Sequence, residues 1–103
     1  PWDIAKAFEY SAPISPLRPV ADTKDISQAC IWLNVNGERR QEGNINQLIW
    51  SIPETISYLS ELFELRPGDL IFTGTPSGVG KVYKGDLIEG GVDGLEEIKI
   101  NVI

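Results

Sequence analysis

Asn36-Gly37 stands between two strand-like runs, Ile31-Trp32-Leu33-Asn34-Val35 and Glu38-Arg39-Arg40-Gln41. A two-residue type I′ turn needs positive φ at both central positions, and Asn followed by Gly meets that need at little steric cost. The pair therefore predicts an antiparallel hairpin with its turn at 36–37. This constrains the fold more than any other feature, because a 103-residue chain has room for one modest core. The remaining elements must gather around that ribbon.

Ser51-Ile52-Pro53-Glu54 has the form of a helix start, with Ser51 as cap, Pro53 in the first turn and Glu54 three residues on as a capping box requires. Ile52, Ile56, Leu59 and Phe63 recur at helical spacing, with Leu62 beside them. Arg66-Pro67-Gly68-Asp69 ends that helix and is expected to turn into a buried strand, Leu70-Ile71-Phe72. Gly85-Asp86 turns into Leu87-Ile88-Glu89, and Gly90, Gly91 and Gly94 lead to a last strand in which Ile98, Ile100 and Val102 alternate with Lys99 and Asn101. Residues 11–25, with Pro13, Pro16 and Pro19, read as an irregular extended connection. The class is mostly β with one helix, α+β, without the strand–helix alternation of a doubly wound sheet.

Composition narrows function by exclusion. A net charge of −6 opposes nucleic-acid binding and offers no footing on an anionic membrane. The one thiol, Cys30, sits in an apolar run and is expected to be buried and inert. It can form no internal disulfide, which suits a reducing compartment, so a cytoplasmic location is expected. The chain has no His and no Met, and Pro1-Trp2 reads as the middle of something, so a C-terminal piece of a longer protein is expected.

The chemistry-bearing stretch is Asp69-Leu70-Ile71-Phe72-Thr73-Gly74-Thr75-Pro76-Ser77-Gly78-Val79-Gly80. An apolar run feeding a loop of hydroxyls and glycines is suited to presenting N–H and O–H groups to an anion. It is not a nucleotide loop. Thr75 stands where a phosphate-binding loop needs its first Gly, Val82 replaces the required Ser or Thr, and Pro76 breaks a dinucleotide fingerprint. A tight turn between two strands remains the plainer alternative.

Taken with four further segments in order, this loop closely resembles the signature of the fumarylacetoacetate hydrolase superfamily, in its short acylpyruvase and fumarylpyruvate hydrolase-like branch. The segments are Ala5-Lys6-Ala7-Phe8 with Ala12-Pro13, Val35-Asn36-Gly37-Glu38 with Arg40-Gln41, Ser51-Ile52-Pro53 with the following helix, and Lys84-Gly85-Asp86 with Ile88-Glu89. Residues 1–103 are then the C-terminal part of such a catalytic domain.

The resemblance implies a mixed β-roll, usually a homodimer, that hydrolyses, decarboxylates or isomerises a small 2-oxo acid at Mg²⁺ or Mn²⁺. In that family a Glu-x-Glu pair and an Asp hold the metal, and a His-Glu lid supplies the base; neither set occurs in this sequence. No metal ligand is therefore assigned here, and the chain alone is expected to be inactive. Lys6 corresponds to the family's active-site lysine, which stabilises a developing enolate. Thr75 corresponds to the threonine that holds the substrate carboxylate, and Gly74 would permit close approach. Thr73 is expected to be structural, and Gln41 a hairpin residue with a weaker claim to substrate contact. The expected partners are the small substrate and either the N-terminal half of the enzyme or a second copy. The rival reading is a non-catalytic, truncated or split-gene β module that binds a partner.

Overall fold

Asn36 and Gly37 adopt φ of +50° and +80° in the computed structural model, which describes residues 1–103. They close the hairpin between β1, Cys30–Val35, and β2, Glu38–Asn44. β3, Leu87–Val92, pairs with the other edge of β1, and β4, Ile98–Asn101, pairs with β3. The result is one four-stranded antiparallel sheet of order β2-β1-β3-β4. The α+β class expected from the sequence holds. Residues 1–103 contain this single sheet.

Asn36 also fastens the hairpin to the turn before β3. Its backbone N–H donates to the Leu87 carbonyl at 2.8 Å, and its side-chain oxygen accepts from the Leu87 N–H at 2.9 Å. Its amide nitrogen donates to the Asp86 carboxylate at 2.9 Å.

The two faces of the sheet differ as period-two alternation requires. Ile31, Leu33 and Val35 share a face with Ile88, Val92, Ile98 and Ile100, by their cross-strand register. The opposite face is polar around Trp32. Lys99 pairs with Glu89 at 3.1 Å, and the Arg39 guanidinium lies 4.8 Å from the Trp32 ring and donates to Asn34 at 2.7 Å.

Gly90 and Gly91, expected only to lead toward the last strand, lie inside β3. Gly91 faces Trp32 across the ladder, and a Cβ built there would stand 2.9–3.2 Å from the indole. The indole thus covers the backbone that the missing side chain leaves bare. The glycine serves packing, and sequence alone does not separate that use from a turn.

The helix expected after Ser51 forms as the longer of two. α1 is the short helix Trp2–Lys6, and α2 runs Ile52–Leu62 with both halves of the capping box made. Phe63 closes α2 as its C-cap. A five-residue helix carries too little periodicity to be seen in sequence, so α1 was not expected.

The expected strand Leu70–Phe72 does not form within this chain. These side chains are 51%, 37% and 67% exposed, and no backbone hydrogen bond runs from Leu70 to Val82. A strand is stable only when its N–H and C=O groups find a ladder partner, and none is offered here.

The core is correspondingly thin. Val35, at 4% exposure, is the one buried apolar side chain. The accessible surface is 8528 Å², against about 5,800 Å² for a compact monomer of 11.4 kDa. The radius of gyration is 14.9 Å, against about 12.8 Å for a compact chain of this length. Neither α1 nor α2 buries a residue.

Candidate functional site

A β-bulge aims the site. The β1–β2 register pairs Leu33 with Gln41 but Asn34 with Arg39, so Arg40 is the extra residue. Cross-strand partners share a face, so the bulge sends Arg39 to the Trp32 face and Gln41 to the apolar face. Gln41 is 9% exposed, the most buried polar side chain of the chain.

Its amide nitrogen donates to the Thr75 hydroxyl at 2.8 Å and to the Pro76 carbonyl at 2.7 Å. Two close approaches add to this grip. A Cβ at Gly43 would stand 3.1 Å from the Pro76 Cβ, and a Cβ at Gly78 would overlap the Arg40 carbonyl oxygen. Gly78 also has φ of +102°, a left-handed value that favours glycine. The glycine loop is therefore seated on β2 without sharing a backbone ladder with it.

Thr75 is exposed at the rim of a groove of about 510 Å³ over the apolar sheet face. Phe72 and Pro76 line the groove together with Pro13, Ile14 and Leu17. An ion pair of 3.3 Å between Arg18 and Glu96 holds the Pro-rich segment near the β3–β4 turn. Gly74 has φ of +97° and open space where a Cβ would be, so a ligand can approach its backbone. Thr73 makes no side-chain hydrogen bond to the rest of the chain.

Lys6 lies elsewhere. It ends α1, its Nζ stands 4.2 Å from the Trp2 ring centroid, and it does not line the groove beside Thr75. The structure joins Thr75 to Gln41, and it does not join either to Lys6. Sequence reasoning gave Gln41 a hairpin role; the register slip that redirects it has no sequence signal, since Arg39-Arg40-Gln41 reads as unbroken strand. Arg40 was missed in the same way. Its Nη1 lies 3.9 Å from a Cβ built at Gly80, placing a cation under the loop.

Among the titratable groups, the Asn36 amide and the Tyr83 N–H hold Asp86 below the ordinary carboxylate range, and Arg40 adds to this. Cys30 is half-buried, short of the full burial expected, with its Sγ 3.6 Å from Glu42. Desolvation and the Glu42 charge push its thiol up, away from a reactive thiolate. No three Asp, Glu or Cys side chains of the chain converge as a group that could hold a metal ion. No helix is long and apolar enough to cross a membrane.

A four-stranded antiparallel α+β scaffold of this kind is shared with known proteins. The chain belongs to the fumarylacetoacetate (FAA) hydrolase family, whose C-terminal model matches residues 1–103. It is 47% identical over 102 residues to oxaloacetate tautomerase FAHD1, mitochondrial, of Rattus norvegicus, covering 99% of this chain and 46% of the rat protein. It is 44% identical over 102 residues to fumarylpyruvate hydrolase of Ralstonia sp., covering 99% of this chain and 53% of that protein. Among solved structures, fumarylpyruvate hydrolase from Pseudomonas aeruginosa in complex with Mn²⁺ and pyruvate superposes with a TM-score of 0.95 at 55% identity, over 100% of this chain and 44% of that one. The chain spans about half the length of the curated relatives it matches.

Proposed function

We propose that this chain supplies the substrate-carboxylate side of a metal-dependent enzyme acting on a small 2-oxo acid, such as an acylpyruvate, fumarylpyruvate or oxaloacetate. The observation that carries the reading is the Gln41–Thr75 contact. It fixes a Gly-Thr-Pro loop in a family whose relatives are named for 2-oxo-acid chemistry and include one with pyruvate and Mn²⁺ bound.

In this reading the Thr75 hydroxyl and the exposed backbone at Gly74 receive the carboxylate as hydrogen-bond donors. Lys6 places a cation against the substrate oxygen that gains charge as an enolate develops, which lowers the barrier by stabilising that charge. Lys6 is free to reach such a place because only the Trp2 ring engages it here. In this reading the divalent ion, Mg²⁺ or Mn²⁺, is assigned to residues outside 1–103.

The exposed apolar surface supports a covering partner. The excess over a compact monomer, about 2,700 Å², matches one side of the largest obligate interfaces. We infer that the N-terminal half of the enzyme or a second copy covers it, and that the isolated chain does not turn over substrate. A non-catalytic partner-binding module accounts for the exposed surface equally but leaves the pinned loop without a use. The compartment proposed is a reducing one, such as the cytoplasm.

The test is turnover of oxaloacetate and fumarylpyruvate, with Mn²⁺ or Mg²⁺, by the protein translated from its complete open reading frame. Activity lost on Thr75→Val and on Lys6→Ala, with the fold retained, supports the reading. Robust Mg²⁺-dependent turnover by purified 1–103 would sink it.

A further inference from the structure

We propose that Gln41 is a positioning residue that turns Thr75 into a fixed hydrogen-bond donor; the inference rests on the carboxylate role given to Thr75 above. The argument is one of donor and acceptor counting. The Pro76 carbonyl can only accept, so the Gln41 amide nitrogen must face it at 2.7 Å, which settles which way the amide points. The second hydrogen of that nitrogen then goes to Thr75 Oγ1 at 2.8 Å.

A free threonine hydroxyl rotates and serves as donor or acceptor by turns. Once Oγ1 accepts from Gln41, its own hydrogen is turned away from β2 toward the open rim of the groove. An anion arriving there meets a donor already oriented. Gln41 itself is held by its place beside the Arg40 bulge, at 9% exposure on the face of Leu33 and Ile31. Gln41 therefore acts through Thr75 and need not touch the ligand.

The experiment is a double-mutant cycle on pyruvate binding in the presence of Mn²⁺, followed calorimetrically on the protein translated from its complete open reading frame. Thr75→Val weakens binding about tenfold, the loss of one hydrogen bond to a charged group. Gln41→Leu weakens it about five- to tenfold, yet costs less than about twofold when added to Thr75→Val, because its route is already gone. A purely structural role would lower the melting temperature and weaken binding by the same factor in both backgrounds.

Additive effects, or full affinity in Gln41→Leu, overturn the inference while the role of Thr75 stands. Full affinity in Thr75→Val overturns both. If Gln41→Leu does not fold, Gln41→Glu enters the same cycle; its carboxylate can only accept, so the Thr75 hydrogen is drawn inward and the same non-additive loss is expected.

Discussion

The Asn36 amide donates to the Asp86 carboxylate at 2.9 Å, tying the hairpin turn to the turn that opens β3. This contact is the main cause holding the Asp86 carboxyl below its ordinary range. A depressed folded-state pKa contributes stability above the unfolded value, near 4, and that stability is lost as pH falls through the folded pKa. Asp25 and Glu54 are lowered as well, each first by a backbone N–H, that of Ser27 and of Ser51. Thermal stability is therefore expected to fall below about pH 4. Asn36→Gly keeps the turn but removes the amide, and should raise the Asp86 pKa in an NMR titration. An unchanged pKa would remove this link from the fold.

Gly91→Ala places a methyl group against the Trp32 indole, where 2.9 Å separates a Cβ from the ring. The indole must shift or the strands must part, and a loss of about 1–3 kcal/mol is expected in denaturant unfolding. Gly94→Ala serves as the comparison for strain without a clash, since open space surrounds a Cβ there despite a φ of +88°.

Gly78→Ala should unseat the loop. It combines overlap on the Arg40 carbonyl with a φ of +102°. The expected readout is loss of the Gln41–Thr75 contact, seen as amide shift changes confined to residues 73–80 and β2, with the rest of the sheet unaltered.

Ser51→Ala removes the cap that accepts from the Glu54 N–H. Helix α2 has eleven residues and buries none of them, so capping matters more than packing, and the loss is about 1 kcal/mol of local helix stability. Cα chemical shifts over 52–62 should move toward coil while those of the four strands stay in place.

Purified 1–103 should self-associate or bind a hydrophobic dye, given its thin core and exposed Trp2, Phe63 and Phe72. Sedimentation velocity decides this. A monodisperse monomer with a cooperative melt would favour a self-sufficient module instead.

What could be read from the sequence follows from how local each signal is. Asn36-Gly37 and Ser51-x-x-Glu54 each specify geometry within four residues, and both formed as expected. Leu70–Phe72 has strand composition, yet a strand needs a ladder partner, which its own residues do not encode. The sequence does not reveal the place of Gly91 in a strand, because the partner that explains it, Trp32, is far away in sequence. The Gly-Thr-Pro loop stood out by composition, whereas its anchor Gln41 depends on a bulge created by pairing with β1. Lys6 stands out through resemblance alone, and within 1–103 its neighbour is the Trp2 ring.

The central claim is that Thr75 receives the carboxylate of a 2-oxo acid. A crystal structure of the protein from its complete open reading frame with Mn²⁺ and pyruvate tests it most directly. The account predicts a pyruvate carboxylate oxygen about 2.6–2.9 Å from Thr75 Oγ1, with Gln41 still donating to that oxygen from behind. Pyruvate bound with its carboxylate away from Thr75, and the loop unchanged, would contradict it.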